Sequence, residues 1–126
     1  MTAPAPRRYD AQARSTDTFG RVLASCREHH FIVDGPVQNG CPGEAVTPAE
    51  LFLAAVASCG VELVQVIARE TGTPLERASV AVSGTVDRSQ QSRPDVTVFN
   101  SVRLQFELQG PTDAQGTALV AAFKRR

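Results

Sequence analysis

The sequence predicts an α+β domain in which antiparallel strands pack around one long helix. Three observations support this class: a hairpin pattern over 19–34, a helix pattern from Thr47 to Gly72, and two alternating segments followed by a short helix. The chain has 126 residues, of which 42% are hydrophobic and 21% charged, which suits one globular domain. We therefore expect a single domain over 1–126, with residues 1–8 frayed.

The first predicted element is a β-hairpin. Residues 19–34 contain two apolar runs, split by the polar residues Ser25, Arg27 and Glu28. The next stretch, 35–47, carries three glycines and two prolines, which favour irregular backbone. We expect a loop there.

A strong helix start follows this loop. Thr47 can act as N-cap, Pro48 suits the first helical position, and Glu50 can close a capping box. The pattern runs to Gly72, a span of about 24 residues and roughly 36 Å. Its first half is apolar on nearly every side, so we expect that half to be buried all round. A small domain seldom covers a helix so completely, which indicates a dimer.

The remaining elements are two strands and a helix. Alternating apolar residues predict strands over 78–86 and 102–108, joined by a polar connection at 88–95. Gly110 ends the second strand, and residues 112–126 have a helical pattern with Leu119, Ala122 and Phe123 on one side.

Composition excludes several classes of protein. Basic and acidic residues balance at 13 each, so no net field favours nucleic acid or an anionic membrane. No apolar run approaches the roughly 20 residues of a membrane span, and residues 1–6 lack the apolar core of a signal peptide. We expect a cytoplasmic protein that binds neither nucleic acid nor membrane.

Metal and cofactor sites are also not expected. His29 and His30 are adjacent, and neighbouring residues on a strand point to opposite faces. The three cysteines, Cys26, Cys41 and Cys59, form no CxxC pair. They are therefore expected to be free thiols, and the question becomes which of them reacts.

Cys59 lies in the middle of the predicted helix, where a free cysteine is commonly a small core residue. Gly60 favours a reactive thiol instead, because a glycine there can let a substrate or another chain approach the sulfur. A reactive cysteine attacks as its thiolate and needs a nearby cation or hydrogen-bond donors. Glu62 shares its face and opposes ionisation, so any activating arginine must come from elsewhere: Arg14, Arg21, Arg27 or a partner subunit.

The segment that leads into the helix resembles a known family. An extended stretch from Phe31 to Pro36, a glycine-containing loop, and Thr47-Pro48-Ala49-Glu50-Leu51 with a cysteine at position 59 are similar to the OsmC/Ohr proteins. These are the osmotically inducible and organic-hydroperoxide-resistance proteins. The resemblance covers about residues 19–126, and its most specific part is 47–59.

The resemblance implies a fold and a reaction. Members are intertwined homodimers in which antiparallel sheets from both chains wrap two central cysteine-bearing helices. The helix cysteine reduces a small organic hydroperoxide and becomes a sulfenic acid, in defence against oxidative stress. A second cysteine, in a Cys-Pro context near the chain end, then forms a disulfide that dithiols reduce. The implied catalytic residues here are Cys59, Glu50 and Arg21, without cofactor or metal.

This sequence departs from the Ohr pattern in three places. Ohr proteins carry their glutamate one residue earlier, at Ala49, so Glu50 matches the divergent OsmC-like branch. The family's arginine falls near Thr18 by an ungapped count, which makes Arg21 the first candidate and Arg14 the second. The 126 residues contain no Cys-Pro segment after the helix, and Cys41 is the one alternative resolving cysteine.

Three other interpretations stay open. Glu50 lies nine residues before Cys59, about 180° around the helix, so its role can be capping alone. The protein can also be a non-peroxidatic OsmC-like module that binds a small apolar ligand, with Cys59 structural, or a stress-associated interaction protein.

Overall fold

The structure, a computed structural model, describes residues 4–126 and has the predicted α+β class. It contains two antiparallel sheets and a long helix. The chain divides into two compact units, residues 1–51 and 52–126. The predicted frayed start falls partly outside the described residues; residues 4–8 are exposed and have no regular structure.

The first unit contains a three-stranded sheet. Its strands are β1 (Gln12–Ser15), β2 (Arg21–Cys26) and β3 (His29–Asp34), paired antiparallel in the order β1-β2-β3. The predicted hairpin is therefore β2–β3, and Arg27 makes its turn with a positive φ of 54°. Sequence analysis missed β1, because its four residues are all exposed and show no apolar alternation.

The long helix α1 (Pro48–Thr71) begins as predicted. The Thr47 backbone N–H and hydroxyl donate to Oε1 of Glu50 at 3.0 and 2.9 Å, and the Glu50 N–H donates to the Thr47 hydroxyl at 3.4 Å. The predicted capping box is thus confirmed. At the other end Gly72, with φ 69°, terminates the helix in the left-handed region that favours glycine.

The second unit packs helices on one face of a two-stranded sheet. β4 (Arg77–Thr85) and β5 (Ser101–Gln109) pair antiparallel, and α2 (Asp113–Phe123) follows with its own Thr112–Gln115 capping box. The core lies between α1, the sheet and α2. Its buried members are Val64, Ile67, Ala68 and Leu119, of which Val64 is fully buried.

Burial along α1 differs from the expectation. The buried residues, Gly60, Val64, Ile67 and Ala68, are all in its middle and second half, while Leu51 and Phe52 in the first half are 37% and 53% exposed. In the single chain the apolar first half is therefore not buried all round. The second half packs on the β4–β5 sheet, and in the described residues 4–126 the outer side of the first half, at Leu51, Ala54 and Ala55, is exposed.

The length and composition of α1 bear on the expectation about membranes. α1 is long and apolar enough, by length and composition alone, to cross a membrane. The core helix of a soluble protein can have the same length and composition, and the second half of α1 packs against the β4–β5 sheet.

Candidate functional site

The candidate thiol, Cys59, lies on an exposed surface of α1 and is free. It therefore does not fill a core position within this chain. Its neighbour Gly60 has a different role from the predicted one, because its Cα faces the sheet. A Cβ there would lie 3.3 Å from Val80 Cγ2 and 3.4 Å from Phe106 Cζ. The glycine lets helix and sheet approach closely, and the sulfur lies on a different side of the helix.

The helix supplies little to the sulfur. Ser58 uses its hydroxyl to donate to the Ala54 carbonyl oxygen at 2.7 Å, so this proton is engaged within the helix. Glu62, one turn further on, is exposed. Within residues 4–126, no side-chain or loop hydrogen bond reaches the sulfur of Cys59. Any group that activates the thiol must therefore lie off this stretch of α1, as the sequence predicted.

Glu50 is held by the helix N-terminus. The Thr47 N–H and then the Thr47 hydroxyl lower the pKa of the Glu50 carboxyl, because both donate to the charged form. At neutral pH the residue is a carboxylate that caps α1. One of its oxygens, Oε1, accepts both of these bonds.

Arg21 forms a bidentate ion pair at the base of β2. Its Nε donates to Asp34 Oδ1 at 2.8 Å, and its Nη2 donates to Asp34 Oδ2 at 2.9 Å and to Glu44 Oε1 at 3.2 Å. Asp34, the register partner of Arg21, is fully buried, whereas the arginine side chain keeps 30% exposure. Within the described part of the chain, its Nη1 makes no hydrogen bond.

Asp34 is the centre of this network. The Arg21 guanidinium, followed by the N–H groups of Ala45 and Glu44, holds the pKa of the Asp34 carboxyl well below its usual range. Asp34 in turn is the largest cause of the raised pKa of Arg21. Because Asp34 Oδ2 accepts both loop N–H groups at 2.9 Å, the ion pair ties the loop before α1 to β2 and β3.

The other candidates are placed apart from this network. Arg14 is in the middle of β1 and Arg27 in the hairpin turn; among residues 4–126 neither forms an ion pair.

The other two cysteines differ in their surroundings. Cys26 is the last residue of β2 and is partly buried. Cys41 packs its sulfur against the backbone of two glycines, Gly20 and Gly35, where any side chain would collide with it. In the described part of the chain, no three His, Cys, Asp or Glu side chains converge as metal ligands.

A comparison with known families finds one match. Residues 41–126, which include α1 and the whole second unit, match the model of the family described as OsmC-like protein. A search of curated proteins finds no match.

Solved structures share the fold over nearly the whole chain. An OsmC-like protein from Mycoplasma pneumoniae superposes with a TM-score of 0.80 at 15% identity, covering 97% of this chain and 84% of that one. An organic hydroperoxide resistance protein from Elizabethkingia anophelis gives 0.78 at 13% identity, covering 98% and 85%. One from Legionella pneumophila, also called OsmC, gives 0.71 at 23% identity, covering 97% and 85%. At these identities the likeness establishes the fold.

Proposed function

Because the chain belongs to the OsmC-like protein family, we propose that it is a thiol-dependent peroxidase that reduces small organic hydroperoxides. The observation that carries this proposal is the position of Cys59: a free, exposed thiol on the helix that the family model covers. Structural relatives named as organic hydroperoxide resistance proteins support the same chemistry.

The proposed reaction is a displacement at oxygen. The Cys59 thiolate attacks the terminal oxygen of the hydroperoxide, an S–O bond forms, and the O–O bond breaks with both its electrons going to the alkoxide. The alkoxide takes a proton and leaves as the alcohol, so Cys59 becomes a sulfenic acid. One thiol of a dithiol then attacks the sulfur of the sulfenic acid, which forms a mixed disulfide and releases water. The second thiol of the dithiol attacks this mixed disulfide, so the Cys59 thiol is regenerated and the dithiol becomes a disulfide.

Two further residues are proposed from the family resemblance alone. Glu50 would position the hydroperoxide or accept its proton, and Arg21 would supply the positive charge that a reactive thiolate needs. Arg21→Ala should then slow alkylation of Cys59 near neutral pH, while Arg14→Ala should not. Equal rates in both variants and the wild type would remove Arg21 from the proposed site.

The assembly and location are proposed on similar grounds. We expect a homodimer in the cytoplasm, in which the partner covers the outer side of the first half of α1, formed by Leu51, Ala54 and Ala55. An external dithiol is the proposed reductant, because the Cys41 sulfur is held against Gly20 and Gly35 and is poorly placed to leave its loop.

The direct test is hydroperoxide consumption with dithiothreitol as reductant. Cys59→Ser should abolish turnover of cumene hydroperoxide, while the matched variants Cys26→Ser and Cys41→Ser keep most of it. Unchanged turnover in Cys59→Ser, or equal loss in all three variants, would refute the assignment.

A second candidate function is binding of a small apolar ligand, with Cys59 structural. The exposure of Leu51 and Phe52 on α1 favours it, because an apolar surface of this kind suits such a ligand. Native mass spectrometry of the purified protein distinguishes the two: a retained apolar molecule, in a protein that consumes no hydroperoxide, would favour binding.

A further inference from the structure

A cleft of about 1100 Å³ lies within the first unit, where the segment before β1 meets the three-stranded sheet. Its walls come from residues 8–14, from β2, and from the hairpin turn with the start of β3. A volume of this size suits a small organic molecule and is much larger than a single inorganic ion needs. The three residues proposed for the peroxidase, Cys59, Glu50 and Arg21, do not line it.

Three arginines line this cleft, and their charge is only partly balanced. Arg8 pairs with Asp10 at 3.1 Å, and Asp10 is the one acidic side chain among the lining residues. In the described part of the chain, no ion pair or hydrogen bond engages the guanidinium groups of Arg14 and Arg27. Three positive charges against one negative charge leave the cleft with a net charge of +2, which favours an anion.

The register of the sheet places Arg14 beside two further polar side chains. Gln12 is opposite Ser25 and Ser25 is opposite His30, so these three side chains leave the same face of the sheet. Arg14 is two residues after Gln12 and leaves that face too. Diagonal neighbours such as Arg14 and Ser25 are about 7–8 Å apart, within reach of a long side chain. An anion over this face can therefore contact Arg14 and His30 together.

A hydrogen bond between Ser25 and His30 prepares the imidazole as a donor. The Ser25 Oγ and the His30 Nδ1 are 2.8 Å apart. If the serine hydroxyl donates to Nδ1, the ring proton is on Nε2; if the ring is protonated, Nδ1 donates to the serine and Nε2 again carries a proton. In both states the Nε2–H group is a donor that no other described residue uses. Hydrogen bonds from guanidinium or imidazolium groups to phosphate belong to the strong, charge-assisted class.

We propose that this cleft binds a small organic phosphate, with Arg14, Arg27 and His30 on the phosphate group. The inference goes beyond the proposed function, and neither depends on the other. A phosphate monoester carries about 1.5 to 2 negative charges at neutral pH, which matches the net charge of the cleft. A planar guanidinium also fits two phosphate oxygens at once. Half-buried Leu23 and the ring of Tyr9, which is 83% exposed, provide apolar contacts for the organic part.

The experiment is calorimetric titration with phenyl phosphate as the probe. The wild type should bind it, and Arg14→Gln and Arg27→Gln should each raise Kd about tenfold or more, as expected for loss of a hydrogen bond to a charged group. Arg103→Gln is the matched control, because Arg103 is an exposed arginine of β5 that does not line the cleft. Its Kd should stay within about twofold of the wild type, since surface substitutions elsewhere have small effects.

Two other probes test the chemical class of the ligand. Inorganic phosphate lacks the organic part, and benzoate lacks the second negative charge, so both should bind the wild type more weakly than phenyl phosphate. Inorganic phosphate that binds as tightly as phenyl phosphate would overturn the assignment of an organic ligand. Benzoate that binds as tightly would overturn the assignment of a phosphate.

A second measurement locates the bound probe. Cys26 lines the cleft, so saturating phenyl phosphate should slow its alkylation by iodoacetamide and leave the rate at Cys59 unchanged. Protection of Cys59 in place of Cys26 would put the probe on α1 and overturn the inference. A wild type that does not bind phenyl phosphate, or an equal loss of affinity in Arg14→Gln and Arg103→Gln, would overturn it as well.

Discussion

Glu50 has a structural role, shown by its hydrogen bonds at the start of α1, and a proposed chemical role, which rests on the family resemblance. Its carboxylate accepts from the Thr47 N–H and hydroxyl, so removing it damages the start of α1 whatever its chemistry. Loss of activity in an alanine variant therefore cannot by itself identify a catalytic group.

Glutamine at this position separates the two roles. Glu50→Gln keeps a capping-box acceptor, so the free energy of unfolding should change little. If the carboxylate takes part in the reaction, turnover of cumene hydroperoxide should nevertheless fall by about a hundredfold to ten-thousandfold. Thr47→Ala is the matched control: it should cost about 1 kcal/mol of stability and leave most turnover. Full turnover in Glu50→Gln would leave the residue as a cap only.

Asp34 gives the protein a predictable response to acid. Its pKa in the folded state lies below the value of about 3.9 of an unfolded aspartate. Its contribution to stability is therefore fully present above about pH 4 and declines as the pH falls below that value. The free energy of unfolding of the wild type, measured with urea, should be lower at about pH 3 than at about pH 7. In Asp34→Asn this difference between the two pH values should be smaller.

The exposed partner in the same network provides the control. Glu44 is an exposed acceptor of the Arg21 bond, so Glu44→Gln should change stability little at either pH. If Asp34→Asn kept the full stability and acid response of the wild type, the network would not tie the loop to β2 and β3 as the contacts indicate.

The sequence predicted one of these two residue clusters and not the other. The capping box is local, with Thr47 and Glu50 three residues apart, so its pattern is visible in the sequence. Arg21 and Asp34 are 13 residues apart and meet only through the register of β2 and β3. A hairpin pattern does not fix that register, so the ion pair was not foreseen.

At the scale of the elements, the packing of α1 on the β4–β5 sheet depends on one close approach of the helix to the strands, at Gly60. Gly60 faces Val80 and Phe106 with no room for a branched side chain. The sequence analysis explained this glycine by access to the Cys59 sulfur. Its contacts, Val80 and Phe106, lie on strands 20 and 46 residues further on, so the packing role was not visible in the sequence.

Gly60→Val should destabilise the second unit by about 1–3 kcal/mol, because the added atoms overpack the helix–sheet contact. Gln65→Val, at an exposed position of the same helix, is the control and should cost only a few tenths of a kcal/mol through helix propensity. Urea unfolding measures both. Equal effects at the two positions would contradict the packing role of Gly60.

At the scale of the whole molecule, the exposed first half of α1 requires an explanation. Its outer side carries Leu51, Ala54 and Ala55, which are apolar and exposed. Sequence analysis expected this half to be buried, and periodicity alone does not say whether the same chain or another copy covers it. The family resemblance favours a second copy.

Sedimentation should therefore find a dimer at micromolar concentration. Ala55→Arg should dissociate it, because a charge would be buried in an apolar interface. Ala81→Arg, on the outer face of the β4–β5 sheet, makes the same change at another exposed alanine and should leave the dimer intact. A stable wild-type monomer would exclude the proposed assembly.

The proposed peroxidase is tested most directly by the chemistry of Cys59 itself. The reduced protein is treated with one equivalent of cumene hydroperoxide in the presence of dimedone, which traps sulfenic acids, and the labelled cysteine is identified by mass spectrometry. We expect the adduct on Cys59, with Cys26 and Cys41 unlabelled and cumyl alcohol formed in equal amount. Cumyl alcohol formed without an adduct on Cys59, or no reduction of the hydroperoxide at all, would contradict the proposed function.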